Sequence, residues 1–260
     1  MNKCTVSDPI QHPREFERLL PAGYVDGSGA IHRKAVLRKM RGHEEALLYD
    51  QSLTAGKLVT ELICGCLIRI GDIETITPRL ASELYTADRN YLLLELRRIT
   101  LGDDLPAQYV CPACGAQISA LVDLGAVPVR RLDEGETAGD VSVLLEDGYI
   151  DRAGEAHTEV VLGMPRGVDE EFVSSMAEKD PLRAQDVLLL RCIRRFGSLT
   201  PAALEAYGIK VLRDLTMGDR HLLFHALNSQ MPGVDFQTTV HCDSCGASFR
   251  GAIDVTNFFA

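Results

Sequence analysis

GYVDGSGAIHRKAVLRKMRGHEEALL (Gly23–Leu48) and GYIDRAGEAHTEVVLGMPRGVDEEFV (Gly148–Val173) align without a gap, each position of the second lying 125 residues after its counterpart in the first. Gly, Tyr, Asp, Gly, His, Val, Leu, Arg, Gly and Glu recur in register. Further on, Leu62, Cys66, Arg69 and Gly71 match Leu188, Cys192, Arg195 and Gly197. Thr86–Leu124 then matches Thr216–Val255, each segment carrying Asp-Arg and a CxxCGA signature. Recurrence of this kind predicts an α+β, internally duplicated, pseudo-twofold protein. Each half is read as a hairpin, then helices, then a CxxC knuckle hairpin, with the halves joined by a shared zinc site.

The quoted stretch also predicts its own local structure. Asp26-Gly27-Ser28-Gly29 supplies turn chemistry between strand candidates Tyr24–Val25 and Ala35–Leu37. Arg41-Gly42 followed by acidic residues reads as a turn and a helix over Glu44–Asp50. Apolar Gly56–Ile70 is expected to be a core helix, and Thr86 to cap a helix reaching Ile99. Strands Leu105–Val110 and Ala116–Leu124 flank the first knuckle. The second half should repeat this order: hairpin Val141–Leu162, helices from Asp169, over Ala184–Phe196 and over Thr216–Ser229, then a knuckle hairpin to Phe259. The divisions are an arm at 1–18, halves at 19–129 and 141–260, and a charged, Gly-containing linker at 130–140, with the halves packed as one domain.

Bulk properties limit the function. A net charge of −10 repels phosphate backbones, and the absence of Trp removes the best stacking platform. The first twenty residues are charged throughout, without the apolar segment of a secretory signal, and no apolar run approaches a membrane span. The chain therefore reads as soluble and intracellular, where eight cysteines favour thiol or metal chemistry over disulfides.

Cys111, Cys114, Cys242 and Cys245 are the strongest candidate constellation. Each CxxC-Gly is a tight turn whose amides can face two thiolates, and four thiolates meet the tetrahedral preference of structural zinc. Two separate sites completed by neighbours such as His241, or metal-free thiols, are the alternatives. Cys64 and Cys66 point apart on a helix, so Cys66, like Cys192, reads as packing, and Cys4 as a free thiol. His221 and His225 have helical metal-pair spacing but lack the Glu of a metalloprotease and have Asn90 and Leu94 as counterparts. Asp26/Asp151 with His32/His157 reads as turn closure, and Asp88-Arg89/Asp219-Arg220 as helix-start electrostatics and an ion pair. No phosphate loop, nucleophile elbow or HExxH motif occurs, so no catalytic residue is assigned and the protein is expected not to be an enzyme.

LLPAGYVDGSGAIHRKAVLRKMRGHEEALL (Leu19–Leu48), a Leu-rich helix, and DRNYLLLELRRITLGDD with CPACG (Asp88–Gly115) together resemble the T-even-type phage baseplate proteins. Relatives of that family occur in contractile phage tails and phage-tail-like contractile injection systems, as baseplate hub components or chaperones of hub assembly. The resemblance implies a non-enzymatic structural or assembly protein. Its partners would be hub, spike or tape-measure proteins, and it would be cytoplasmic during assembly or part of the particle. Zinc is not implied by the family, whose members vary in keeping the knuckles; it rests on the four cysteines. A zinc-ribbon nucleic-acid or transcription module is the alternative, with Arg33–Arg41 as its basic face. The first half is basic at Arg33, Lys34 and Arg38 where the second has Thr158, Glu159 and Gly163, a contrast suited to an adaptor between unlike partners.

Overall fold

The computed structural model describes residues 15–255 and 258–259. Cys4 and most of the expected arm lie outside the described residues, and the arm's last three positions do not belong to it. Phe16–Val25 is strand β1, paired antiparallel with β2 (Ile31–Leu37) from Phe16↔Leu37 onward. The hairpin is longer than the turn signal alone indicates because cross-strand pairing extends it beyond its apolar core.

Helices α1 (Gly42–Leu48) and α2 (Ala55–Cys66) follow, then strand β3 (Leu67–Ile70) on the free edge of β2. The expected helix over Gly56–Ile70 therefore stops at Cys66. A continuous apolar run fits a buried helix or a buried strand equally well. Here the open edge of β2 decides, pairing Ala35↔Ile70 and Val36↔Arg69. Next come α3 (Pro78–Glu83), not anticipated from the sequence, and α4 (Thr86–Leu101). Thr77 caps α3, its hydroxyl accepting from Leu80 N. Tyr85, not Thr86, occupies the cap of α4. Strands β4 (Asp104–Val110) and β5 (Gln117–Asp123) form the first knuckle hairpin, and β6 (Val129–Arg130) ends the series.

The second series has the same order: β7 (Val141–Ile150), β8 (Ala156–Leu162), α5 (Gly167–Ala177), α6 (Pro181–Cys192) and β9 (Ile193–Phe196). The expected helix to Phe196 thus also gives way to an edge strand after its cysteine, Val160↔Phe196 answering Ala35↔Ile70. After α7 (Pro201–Asp214), likewise unanticipated, come α8 (Met217–His225), a wide helical turn, the short β10 (Gly233–Val234), and the second knuckle hairpin of β11 (Gln237–His241) and β12 (Ser248–Ala252). Both three-stranded sheets are antiparallel, and both break register at the same place, before Tyr24↔His32 and before Tyr149↔His157.

That break has a chemical anchor. Asp88 of α4 accepts from the amides of Ala22 (2.8 Å) and Gly23 (2.9 Å), and Asp219 of α8 accepts from Glu146 (2.7 Å) and Gly148 (2.8 Å). These aspartates do lie in the first turns of their helices. Their role differs from an ion pair, because each supplies acceptors to strand amides that the bulge leaves unpaired. Gly23 (φ 91°) and Gly148 (φ 71°) are needed there, since a Cβ at either would lie within 2.7 Å of the neighbouring strand. Burial pushes Asp88 up to about 7 against the pull of those two amides.

Three apolar clusters hold the elements together. One lies under the first sheet, with Leu20, Leu37, Ile63, Ile70, Leu92 and Leu96; a second lies under the other, with Val160, Leu162, Leu189, Phe196, Leu212 and Leu223. Helix α4 links them, because Ala87 belongs to the second cluster while Leu92 belongs to the first. The third cluster joins Leu94, Leu105, Val122 and Leu124 to Ile253 and Phe258, giving both knuckle hairpins a common floor.

Contact between the series is made by unlike elements: α2 and α3 lie against α5. At Gly56 a Cβ would meet Glu171 backbone at 2.8 Å, so glycine permits the approach. The Gly56 amide donates to Ser174 Oγ (2.9 Å), and Thr60 donates to Glu171. The segment expected to be a joint is held down as well. Arg33 donates to the carbonyls of Leu132, Asp133 and Glu136, and Leu132 N donates to Pro21 O.

Candidate metal centre

Strands β4 and β5 alternate, with Leu105, Ala107 and Tyr109 on the inner face and Pro106, Gln108 and Val110 outside. The inner face meets β12, where Gly251 has no side chain and a Cβ would fall 2.6 Å from the Tyr109 ring. That close approach sets the knuckles tip to tip.

Each knuckle is built alike. Cys111 N donates to Ala116 O (2.9 Å) and Gly115 N to Cys111 O (2.8 Å), and Cys242 N to Ala247 O (2.9 Å) and Gly246 N to Cys242 O (2.8 Å). Gly115 (φ 74°) and Gly246 (φ 75°) take the left-handed conformation that closes the turn. The first cysteine of each pair is buried and the second exposed.

Sequence positions 128 and 134 residues apart are thereby brought into contact. Cys111 Sγ lies 3.7 Å from Cys245 Sγ, and Cys114 Sγ lies 3.7 Å from Cys242 Sγ. All four sulfurs lie within 4.8 Å of one another. A disulfide needs about 2.05 Å, so these are not bonded sulfurs. A zinc–sulfur length of about 2.3 Å gives a tetrahedron edge of about 3.8 Å. The sulfur geometry therefore fits a four-thiolate tetrahedral ion, a closed set with no position left for substrate.

Electrostatics point the same way. Burial opposes ionisation of Cys111, yet amides of Cys114 and Ala113 donate to its sulfur and lower it to about 7. Cys245 receives the amide of Ala247, but the neighbouring thiols push it up to about 12. Four thiols at these distances cannot all ionise without a cation among them.

The other sequence candidates fall elsewhere. His241 Nδ1 is 2.8 Å from Ser248 Oγ on the exposed side of β11, and it is not grouped with the cysteines. His221 and His225 are exposed on α8, and no metal-type cluster among the described residues includes them. Cys66 is packed in the first core and Cys192 is likewise buried, and burial pushes each thiol up to about 12. Cys64 is half-buried and pushed up to about 11. Part of the basic run is tied down. Arg33 holds the 132–136 backbone, Arg38 pairs with Glu44 (2.8 Å), and Lys34 lies 3.5 Å from Glu17. Two of the three charges read as contrasting between halves, Arg33 and Arg38, are thus spent inside the fold.

Sequence reading missed one constellation, an inward-turned arginine in each series, Arg89 buried and Arg220 partly exposed. Arg89 donates to Thr60 Oγ1 (2.9 Å), Ala81 O (2.8 Å) and Gly56 O (3.0 Å); Arg220 donates to Asp186 (2.6 Å) and Leu212 O (2.9 Å). Their recurrence was visible as Asp-Arg, but their partners were not. No helix among the described residues is long and apolar enough to cross a membrane.

The family described as "T4 bacteriophage base plate protein" matches residues 33–260, which takes in both hairpin cysteine pairs, Arg89 and Arg220. Neither the curated proteins nor the solved structures offer a match.

Proposed function

From the premise that the chain belongs to the T4 bacteriophage base plate protein family, we propose that this structural baseplate protein is a non-enzymatic piece of a contractile tail or injection-system baseplate that binds hub, spike or tape-measure components. The single observation carrying the reading is that the family match runs over residues 33–260, through both series of elements. Baseplate assembly requires rigid parts with several faces, and the many ties between the series suit that task.

The rigidity has a proposed origin. One ancestral unit was duplicated, and the halves, 19–129 and 141–260, pack as one domain around the 130–140 connection. The recurring element order, the identical register breaks and the two similarly built knuckles support this. The knuckles exchange partners as a twofold axis requires, while α2, α3 and α5 pack as unlike neighbours. Zinc held by Cys111, Cys114, Cys242 and Cys245 pins the two hairpins; the 3.7 Å sulfur spacing supports it. A closed thiolate site contributes stability and orientation, and performs no reaction.

Quantitative mass spectrometry of purified contractile particles, beside a deletion strain, tests the role. A fixed low copy number per particle identifies a resident component. Particles that lack the protein yet fail to assemble without it identify an assembly chaperone. Normal assembly in the deletion strain overturns the proposal.

A further inference from the structure

The contact between the two series joins unlike faces. One is made by α2, α3 and α4 of the first series, the other by the loop and helix at Pro165–Ser174 of the second. At its centre runs a short antiparallel bridge, with Thr86 N donating to Pro165 O (3.0 Å) and Gly167 N to Leu84 O (3.0 Å). Beside the bridge, Ala87 is buried in the second apolar cluster. Gly56 lies on the Glu171 backbone, its amide on Ser174 Oγ.

Two series of the same element order carry two copies of each face, and one contact uses only one of each. Left over are Met40–Tyr49, the first-series counterpart of Pro165–Ser174, and the face of α6, α7 and α8 that answers α2, α3 and α4. Their main-chain groups match the used pair. Gly42 answers Gly167 and Thr216 answers Thr86, yet neither amide donates to an acceptor among the described residues.

The side chains match as well. Met217 follows Thr216 as Ala87 follows Thr86, and Tyr49 is the counterpart of Ser174. At 89% and 79% exposure, Met217 and Tyr49 are the most exposed large apolar side chains among the described residues. Leu182, exposed, replaces Gly56 in a helix of the same length, while exposed Ala46 replaces Glu171. Large and small have changed sides, so the opposing volumes still fit. Charge is complementary too. Asp186 alone faces both Arg213 and Arg220, and exposed Glu45 is the counterpart of Glu170, which neutralises Arg89.

We propose that the two free faces bind each other between copies of this chain, Met40–Tyr49 of one on α6, α7 and α8 of the next, repeating the in-chain contact head to tail. The inference rests on the duplication of one ancestral unit. Because the faces are unlike, each added copy again leaves one free at either end, and growth stops only where a ring closes. The Arg166–Glu83 ion pair (2.8 Å) does not carry over, since Arg41 and Arg213 take those positions. Association between copies is therefore weaker than the contact within one, and reversible.

Sedimentation velocity of the full chain, up to millimolar concentration, tests this with wild type, Tyr49→Asp, Met217→Asp and an equimolar mixture of the two variants. Both positions are exposed, so neither charge enters a core, and unchanged melting temperatures check that. The expected wild-type mass rises with concentration past that of a dimer, and each variant alone stays monomeric. The mixture forms dimers and nothing larger, because it retains one intact face of each kind per pair. Wild type that stays monomeric or stops at a dimer, variants that associate as wild type does, or a mixture that stays monomeric overturns the proposal. A monomeric chain that particles still require for assembly overturns this inference and leaves the baseplate role standing, its free faces then belonging to another component.

Discussion

Arg89 donates from Nε to Glu170 Oε2 at 3.1 Å, so a guanidinium with no exposed surface in the first series is neutralised by a carboxylate of the second. Arg220, its counterpart, pairs instead with Asp186 of its own series at 2.6 Å. The difference lies in one position: α2 carries Thr60 where α6 carries Asp186. The first arginine is thus obliged to find its charge partner across the boundary. Removing one member of a buried pair costs about 3–5 kcal/mol, because the other is left uncompensated. Arg220→Ala leaves Asp186 buried with Arg213, at 3.1 Å, as its remaining partner, so a loss smaller than that is expected in its urea unfolding free energy. Glu170→Gln is expected to cost less, since Glu170 is part-exposed, but to weaken contact between α4 and α5. Thr60→Asp with Glu170→Gln should recover stability relative to Glu170→Gln alone, which denaturant unfolding of the three variants measures.

Asp88→Ala removes the acceptors of two buried strand amides. Each unsatisfied buried amide costs about 1–3 kcal/mol. Asp88→Asn keeps one carbonyl oxygen and should lose roughly half as much. Amide hydrogen exchange at Ala22 and Gly23 should accelerate in the alanine variant before it does at Leu92. Equal protection in both variants would falsify the anchoring role.

Glu44 accepts from Arg38 at 2.8 Å and 3.1 Å and from the Arg41 amide at 2.8 Å. The Arg38 bond holds its carboxyl below the ordinary 4.5, against the opposing effect of burial. A carboxyl that ionises at lower pH in the folded chain than in the unfolded one adds stability above about 4.5, and that stability is lost as the pH falls through the folded value. Asp26, depressed by His32 and Ser28, acts in the same direction at lower pH. The unfolding midpoint is expected to fall below pH 4.5, with a shallower slope for Glu44→Gln. Parallel slopes in wild type and variant would remove Glu44 from the account.

Gly56→Ala places a Cβ 2.8 Å from Glu171 backbone, which no side-chain rotation relieves. Overpacking of this kind costs about 1–3 kcal/mol. Gly27→Ala, where a Cβ meets nothing within 4 Å, is the control and should leave the melting temperature unchanged.

Cys111→Ser and Cys242→Ser each remove a buried thiolate from the cysteine set, and each is expected to release zinc and lower the melting temperature. Cys66→Ser, in the first core and away from the knuckles, should leave metal content intact. Elemental analysis with thermal unfolding separates the cases; a Cys111→Ser chain retaining one zinc at full stability would refute the centre.

The parts legible in the sequence are those that short-range chemistry encodes. Asp26-Gly27-Ser28-Gly29 contains the Asx turn seen between β1 and β2, and each CxxC-Gly contains its left-handed closure. The helix starts near Gly42, Thr86 and Thr216 follow from acidic first turns, and Thr216 also caps its helix. Leu67–Ile70 and Ile193–Phe196 were illegible as strands, because an apolar run does not announce which period it obeys until an edge is offered to it. Helices α3 and α7 follow Thr-Pro, a start signal passed over because the segments between Gly71 and Thr86 and between Gly197 and Thr216 show little recurrence.

By itself, then, the sequence determined that two similar series of α+β elements exist, where their turns fall, and which four cysteines are the candidates to hold metal. Only the tertiary structure decided who meets whom: Cys114 with Cys242 across 128 residues, Arg89 with Glu170 across 81, and Asp88 with the amides of a bulge. Turn and cap chemistry acts over a few residues and is written in neighbouring letters. Partners far apart along the chain are selected by the packing of whole elements, through glycine contacts such as Gly56 and Gly251 that carry no side-chain signal of their own.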